Sequence, residues 1–262
     1  MTEQHRFPEI DERLFLQSVS RALDVLEAYA AAPQPKSLGE IAQAAGINKS
    51  AAQRIGQTLL SRGYLELADN GRLTLGRLFL DRSFDYLRSN PLIERSMPVL
   101  TDLRKMAEER VDLSLFDAKH DDLSIVYAAR LQSKRETFYA TLSGRRQPSV
   151  TATGGRACMA LLPDERVDDI IARSERRMVT QRTIATPEGI RAKVAEARRD
   201  GFAYAEEESL IGEIVLAAAI TGPGGLPIGA IHIAGSLSEW TAEHFRRRFA
   251  PLAIEAARAL SS

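Results

Sequence analysis

The sequence predicts an α+β fold in two domains, a small N-terminal winged helix-turn-helix followed by a larger domain built on an antiparallel sheet. Three short helical segments with cap signals run directly into a hairpin signal. Beyond residue 90, strand-length apolar runs and helical segments alternate without the regular strand–helix–strand repeat of a parallel sheet. A chain of 262 residues is also long for one domain and comfortable for two.

The elements follow in order. Residues 1–17 read as a frayed lead-in. Val19, Ala22, Leu23 and Leu26 fall at i, i+3, i+4 and i+7, one face of a helix that Pro33 and Pro35 end. Ser37-Leu38-Gly39-Glu40 has the form of a capping box, and Leu38, Ile41, Ala42 and Ala45 continue the helical spacing. After Gly46, Asn48 can cap a third helix with Ala52, Ile55 and Leu59 inside. Lys49, Ser50, Gln53, Arg54 and Gln57 occupy its other faces. Tyr64–Leu67 and Arg72–Leu75 alternate like strands, and Asp69-Asn70-Gly71 between them signals a tight turn.

Residues 77–90 read as a helical linker, with Leu78, Phe79, Phe84, Tyr86 and Leu87 on its apolar side. The domains are therefore expected at 1–76 and 91–262. In the second, Asn90-Pro91 opens a helix. Strands are expected at 113–116, 125–129, 137–142, 202–205, 214–220 and 228–234. His120-Asp121-Asp122 and Gly222-Pro223-Gly224-Gly225 supply turns. Helices are expected from Thr153 to before Pro163, over 165–173, from Thr186 to Gly201, and from Thr241 onward.

Composition excludes some classes. Basic and acidic residues balance at 35 each, so net charge does not announce nucleic acid. The stretch 36–77 is nonetheless locally basic: Lys36, Lys49, Arg54, Arg62, Arg72 and Arg77 stand against Glu40, Glu66 and Asp69. The single Cys158 rules out an internal disulfide framework and suits a reducing cytoplasm. Residues 1–10 lack the apolar core of a signal peptide, and no run approaches the roughly 20 apolar residues that cross a membrane. A soluble cytoplasmic protein without membrane partner is expected. His5, His120, His232 and His244 lack metal-ligand spacing, so neither metal nor cofactor is expected.

Several short segments together carry a family resemblance. In the N-terminal part they are Ser18-Val19-Ser20-Arg21-Ala22-Leu23, Leu38-Gly39-Glu40-Ile41-Ala42, Gly46-Ile47-Asn48-Lys49-Ser50, Leu59 and Gly63-Tyr64-Leu65. In the C-terminal part they are Thr151-Ala152-Thr153-Gly154-Gly155-Arg156-Ala157, Pro163, Gly201-Phe202-Ala203, Glu206-Glu207-Glu208-Ser209 and Gly212. In this order and at these distances the chain resembles the IclR family of bacterial regulators, from about Ser18 to Leu260. The resemblance implies a GAF-like effector domain, a homodimer or dimer of dimers, and no catalytic activity.

At DNA, the second helix of such a motif lies in the major groove and its N-terminal half meets base edges. Gln53 can read adenine and Arg54 can read guanine or grip phosphate, while Lys49 and Ser50 position the backbone. Ser37, Gln57 and Arg72 complete the expected double-stranded DNA contacts, Arg72 from the wing to phosphate or minor groove. Solvated faces of a small bundle are the bland alternative for any one of these residues.

For the effector, the resemblance places Gln147, Thr153, Gly154, Ala205, Val215, His232 and Ala234 in the pocket. Gly154 and Gly155 would let a ligand approach the backbone, or simply permit a tight turn. With Ala205, Val215 and Ala234 there, the cavity is expected to be apolar, with a His232 that titrates near neutrality among its few polar anchors. The alternative for His232 is a core histidine bonded to a neighbouring strand. The expected effector is an aromatic or otherwise partly apolar organic acid.

Two other functions compete. A Cys158/His232 enzyme lacks a third orienting residue, and Cys158 lies among Ala157, Met159, Ala160 and Leu161 like a small hydrophobe. The acidic run Glu206–Glu208 reads as a solvated strand end. A winged-helix protein-interaction module attached to a sensor domain is the second rival.

Overall fold

A computed structural model of the chain describes residues 12–30, 32–132 and 143–262. They divide into two compact units, one ending at Arg88 and the other running from Ser89 to Ser262. The strand expected at 137–142 lies outside the described residues.

The N-terminal unit contains α1 (Gln17–Glu27), α2 (Leu38–Ala44), α3 (Lys49–Ser61), β1 (Leu65–Leu67), β2 (Leu73–Leu75) and α4 (Leu78–Ser89). The caps are those the sequence signals. Ser37 Oγ accepts from the Glu40 N–H while the Glu40 carboxylate takes the Ser37 N–H, and Asn48 accepts from the Ala51 N–H. Val25, Tyr29, Ile41, Ala42, Ala52, Leu59, Leu65 and Leu73 form the core. The inner face of α1 is rotated from the expected one. Val25 and Tyr29 are buried, whereas Val19 and Leu23 are each 52% exposed. The apolar arc of α1 is wider than the core it packs on, so only one edge of it is covered.

The β1–β2 pair is antiparallel, with Leu65 opposite Leu75. Its turn is not a two-residue one: Ala68 and Arg72 still pair, leaving a three-residue loop in which Gly71 takes φ +73°. Lys36 bridges to Leu73 through two backbone hydrogen bonds, and the Tyr29 hydroxyl donates to the Leu73 carbonyl. These bonds tie the wing to the helices.

The C-terminal unit contains α5 (Pro91–Ala107), β3 (Arg110–Asp117), β4 (Asp121–Leu131), β5 (Arg146–Pro148), α6 (Thr153–Met159), α7 (Asp164–Arg173), α8 (Pro187–Asp200), β6 (Ala203–Glu206), β7 (Glu213–Thr221), β8 (Pro227–Ser236) and α9 (Ala242–Leu260). The strands form one antiparallel sheet in the order β5-β4-β3-β8-β7-β6, which gives the α+β fold. One face meets α5 and α9: Gly229 lies against Leu92, and Gly235 against Phe245. The other meets α6, where Gly154 lies against His232 and Ser114. Behind α6, Val167 and Ile170 of α7 and Ile190 and Val194 of α8 extend the same apolar cluster. Helices thus cover both sides of the sheet.

Gly76 packs at the foot of the wing, where an added Cβ would stand 2.2 Å from the Gly63 carbonyl oxygen. That obstacle is backbone and cannot swing aside. Gly76→Ala is therefore expected to destabilise the N-terminal unit by about 1–3 kcal/mol, read as a lowered thermal transition. An unchanged transition would show that this contact does not hold the wing.

Candidate functional site

Helix α3 divides cleanly. Ala52, Gly56 and Leu59 are buried, while Lys49, Ser50, Gln53, Arg54 and Gln57 are all exposed along the opposite side. Those five side chains form no hydrogen bond or ion pair among the described residues. The acids nearby are engaged elsewhere: Arg72 pairs with Glu40 at 2.6 Å and Arg77 with Glu66 at 3.2 Å. Lys36, Lys49, Arg54 and Arg62 are left against Asp69 alone.

Two of the expected contact residues have local tasks. Ser37 donates its hydroxyl to Glu40 at 2.7 Å as part of the capping box. The Ser37 backbone N–H, its hydroxyl and then Arg72 hold the Glu40 carboxyl down at about 2. Arg72 precedes β2 rather than lying within it, and folds back to Glu40 and to the Pro35 carbonyl. In the structure the Arg72 guanidinium is engaged by the capping carboxylate, at 2.6 Å.

In the C-terminal unit the sheet register assembles the expected effector residues. Ala205, Val215, Ala234 and Arg110 lie side by side across four strands. The next row holds Ala217, His232, Asp112 and Arg130. Thr153 opens α6 and is buried, and Gln147 on β5 accepts from the Tyr127 hydroxyl at 3.3 Å. An open cleft of about 620 Å³ lies elsewhere, among Met178, Val179, Thr180, Gln181, Arg182 and Ile211, and none of the seven expected residues lines it.

Three expectations change. The sheet face is far more polar than its alanines suggest. Asp112 is 1% exposed and bound by Arg110 at 3.1 Å and by Arg130 at 2.9 Å, and Arg110 also reaches Glu213 at 2.8 Å. His232 does not titrate near neutrality: burial lowers it to about 4, against the opposing pull of Asp112. Gly154 does not open the backbone to a ligand, because its missing Cβ is the space the His232 ring fills, 2.4 Å from the ideal Cβ position. Likewise the Ser149 backbone fills the place of a Gly155 side chain. Both glycines serve close packing.

The acidic run is an exposed strand end at Glu206, as expected, but not at Glu208. Glu208 is buried and forms a two-pronged pair with Arg156, at 2.9 and 2.8 Å. Arg156 completes its bonds on the Val150 and Ile184 carbonyls. Cys158 donates its thiol to the Gly229 carbonyl at 3.3 Å, and burial pushes that thiol well above its usual range.

Residues 84–262 match the model of the bacterial transcriptional regulator IclR C-terminal domain, and residues 18–69 match the IclR helix-turn-helix domain. The chain belongs to the IclR family of bacterial transcriptional regulators. Within it, the transcriptional repressor IclR of Escherichia coli K12 is 26% identical, over 93% of this chain and 88% of its own length. The Pca regulon regulatory protein of Pseudomonas putida is 25% identical, over 94% of this chain and 83% of its own. Among solved structures, an IclR homolog of Microbacterium hydrocarbonoxydans, complexed with 4-hydroxybenzoate, superposes with a TM-score of 0.74 at 19% identity. That superposition covers 94% of this chain and 98% of the homolog, and shows the shared fold.

Within this family fold, sequence reasoning missed Arg110, Asp112, Ser114, Tyr127 and Arg130. A signal was present: Arg110, Asp112 and Ser114 alternate with Val111, Leu113 and Leu115. That alternation ordinarily marks a strand with one solvated face. Here helices close both faces, and the polar row is buried.

The buried imidazole makes a pH prediction. His232 is neutral in the folded protein until about pH 4, whereas the unfolded chain takes up that proton near 6.5. Stability from this group is therefore lost as pH falls from about 6.5 toward 4, by roughly 3 kcal/mol in all. Chemical denaturation across that range is expected to show the loss in wild type and a flatter profile in His232→Gln. Equal slopes would mean His232 does not carry the acid sensitivity.

Proposed function

We propose that this chain binds a two-fold symmetric DNA operator as a homodimer, and that a small organic acid held on the α6 side of the sheet alters that affinity. The observation that carries the DNA reading is the outer side of α3, five polar side chains without partners on a helix whose opposite side is core. Gln53 and Arg54 read base edges from there. Lys49 and Ser50 hold phosphate at the helix start, and Gln57 extends the strip. The role proposed for Arg72 is to brace the wing against α2.

The pairing reading rests on α4. This twelve-residue helix buries none of its side chains, and Leu80, Phe84 and Tyr86 are 72%, 65% and 54% exposed. Leu14, Phe15, Leu16, Val19 and Leu23 are exposed in the same unit. Exposed apolar side chains in this number mark an association site, and one recognition helix with few phosphate contacts needs a second to bind specifically. A second copy of the chain supplies both. Two or four copies satisfy this equally.

For the effector, Ala205, Val215, Ala217 and Ala234 supply an apolar floor beside the Arg130 and His232 row. An aromatic or partly apolar acid fits that mixture better than a two-carbon acid. The Microbacterium homolog's complex with 4-hydroxybenzoate shows that a protein of this fold accommodates such a molecule. Ligand and DNA that favour different dimer arrangements weaken each other by the same factor, about 5–150-fold for a coupling of roughly 1–3 kcal/mol. The reading is regulatory and not catalytic, since Cys158 is a buried thiol bonded to backbone.

Gel-shift titration on the DNA upstream of the chain's own gene tests the reading. Binding is expected to weaken steeply with salt through counterion release. Gln53→Ala should cost about 1–3 kcal/mol at one base position, and Lys49→Ala should weaken all sequences alike while lowering the salt slope by about one. Phe84→Asp should lower operator affinity without touching the groove-facing residues. Binding that ignores both salt and sequence would overturn the DNA reading.

A further inference from the structure

We propose that Glu40 is an internal stand-in for a DNA phosphate. Its carboxylate holds the Arg72 guanidinium in the free chain and yields it to the duplex backbone in the operator complex, so the pair acts as a brake on DNA affinity. The inference rests on the DNA reading above, and the bracing role given there to Arg72 is that of the free chain.

The pair is easily exchanged. Arg72 Nη2 lies 2.6 Å from Glu40 Oε2, and the two side chains are 40% and 50% exposed. An ion pair so open to water holds its members weakly. The other bond of the guanidinium, from Nη1 to the Pro35 carbonyl, is long at 3.3 Å. Glu40 is not orphaned when Arg72 departs. The same Oε2 accepts the Ser37 N–H and the Ser37 hydroxyl, each at 2.7 Å. Those two bonds do more than Arg72 to hold the carboxyl below its usual range. The capping box therefore outlives the ion pair.

Position and charge supply the recipient. Of the two helices in such a motif, the first crosses the duplex backbone while the second enters the groove. Here the first is α2, and Arg72 reaches it from the wing. A phosphate offers a guanidinium the same forked acceptor as a carboxylate. On exchange one ion pair replaces another, and Glu40 is left as a like charge beside the phosphate. The gain in affinity is thereby held down. Because phosphate contacts carry no sequence information, the brake acts on operator and bulk DNA alike. The second acid of the wing provides a matched control: Glu66 Oε1 accepts from the Arg77 N–H at 3.0 Å and from Nε at 3.2 Å, away from α2.

Gel-shift titration of the full chain tests the exchange, on the DNA upstream of its own gene and on an unrelated duplex, over about 50–200 mM salt. Glu40→Gln keeps the capping acceptor, since glutamine serves at that position, and frees Arg72. It should bind both duplexes about 2- to 5-fold more tightly, with a salt slope steeper by about one. Arg72→Gln leaves the capping box intact and should weaken both duplexes, with a slope shallower by about one. The double variant should lose the gain of Glu40→Gln. Glu66→Gln removes the same charge from the wing and should stay near wild type. Affinity unchanged or lowered in Glu40→Gln, with its thermal transition kept, would overturn the brake and leave the pair a brace alone. An unchanged slope in Arg72→Gln, a gain that survives in the double variant, or an equal gain in Glu66→Gln would overturn it too. Wild type that binds neither duplex would overturn the DNA reading itself.

Discussion

Covering both faces of the sheet with helices leaves the side chains of its central strands little water to turn to, and most of the C-terminal unit follows from that constraint. Each buried polar group on β3, β4, β7 and β8 must find a partner. Asp112 meets this with two guanidiniums, Arg110 with two carboxylates, and Ser114 with His232. Burial of a paired charge gives little net stability, but loss of one partner leaves the other uncompensated. The row is therefore held in one geometry. Nη1 of Arg130 and Nδ1 of His232 stand apart because the same constraint leaves them unmet.

The Arg156–Glu208 pair extends the logic from the sheet to the loops. Arg156 sits in α6, and Glu208 follows β6. Their two-pronged contact, with the Val150 and Ile184 carbonyls, ties three chain segments at one buried point. Because α6 packs its glycines on His232 and on the Ser149 backbone, that point also fixes the helix against the polar row. The N-terminal unit distributes charge in the opposite sense. Glu40 and Glu66 take up the guanidiniums nearest the wing, and the side chains on α3 are left to face solvent.

Much of this was legible in the sequence where the signal is local. Ser37, Asn48 and Thr186 cap helices because a side-chain oxygen two or three residues ahead of an orphan N–H needs no distant partner. The outward side of α3 was legible for the same reason, since helical spacing alone separates Ala52 and Leu59 from Gln53 and Arg54. Misreadings arose where a residue's role is set by something far away in the chain. Gly154 looked open until His232 filled its side. Glu208 looked solvated until Arg156, 52 positions earlier, reached it.

By itself the sequence determined the order of most elements, though not β5, together with the caps, the polar strip on α3 and the family, because periodicity and short motifs act over a few residues. Only the tertiary structure decided which edge of α1 is core, what the glycines make room for, and whether His232 carries charge at neutral pH. It also placed Arg130 and Asp112, with no short-range motif to mark them, beside His232. The reason is that strand register and helix coverage set both neighbours and dielectric, and neither is a property of any short stretch of chain.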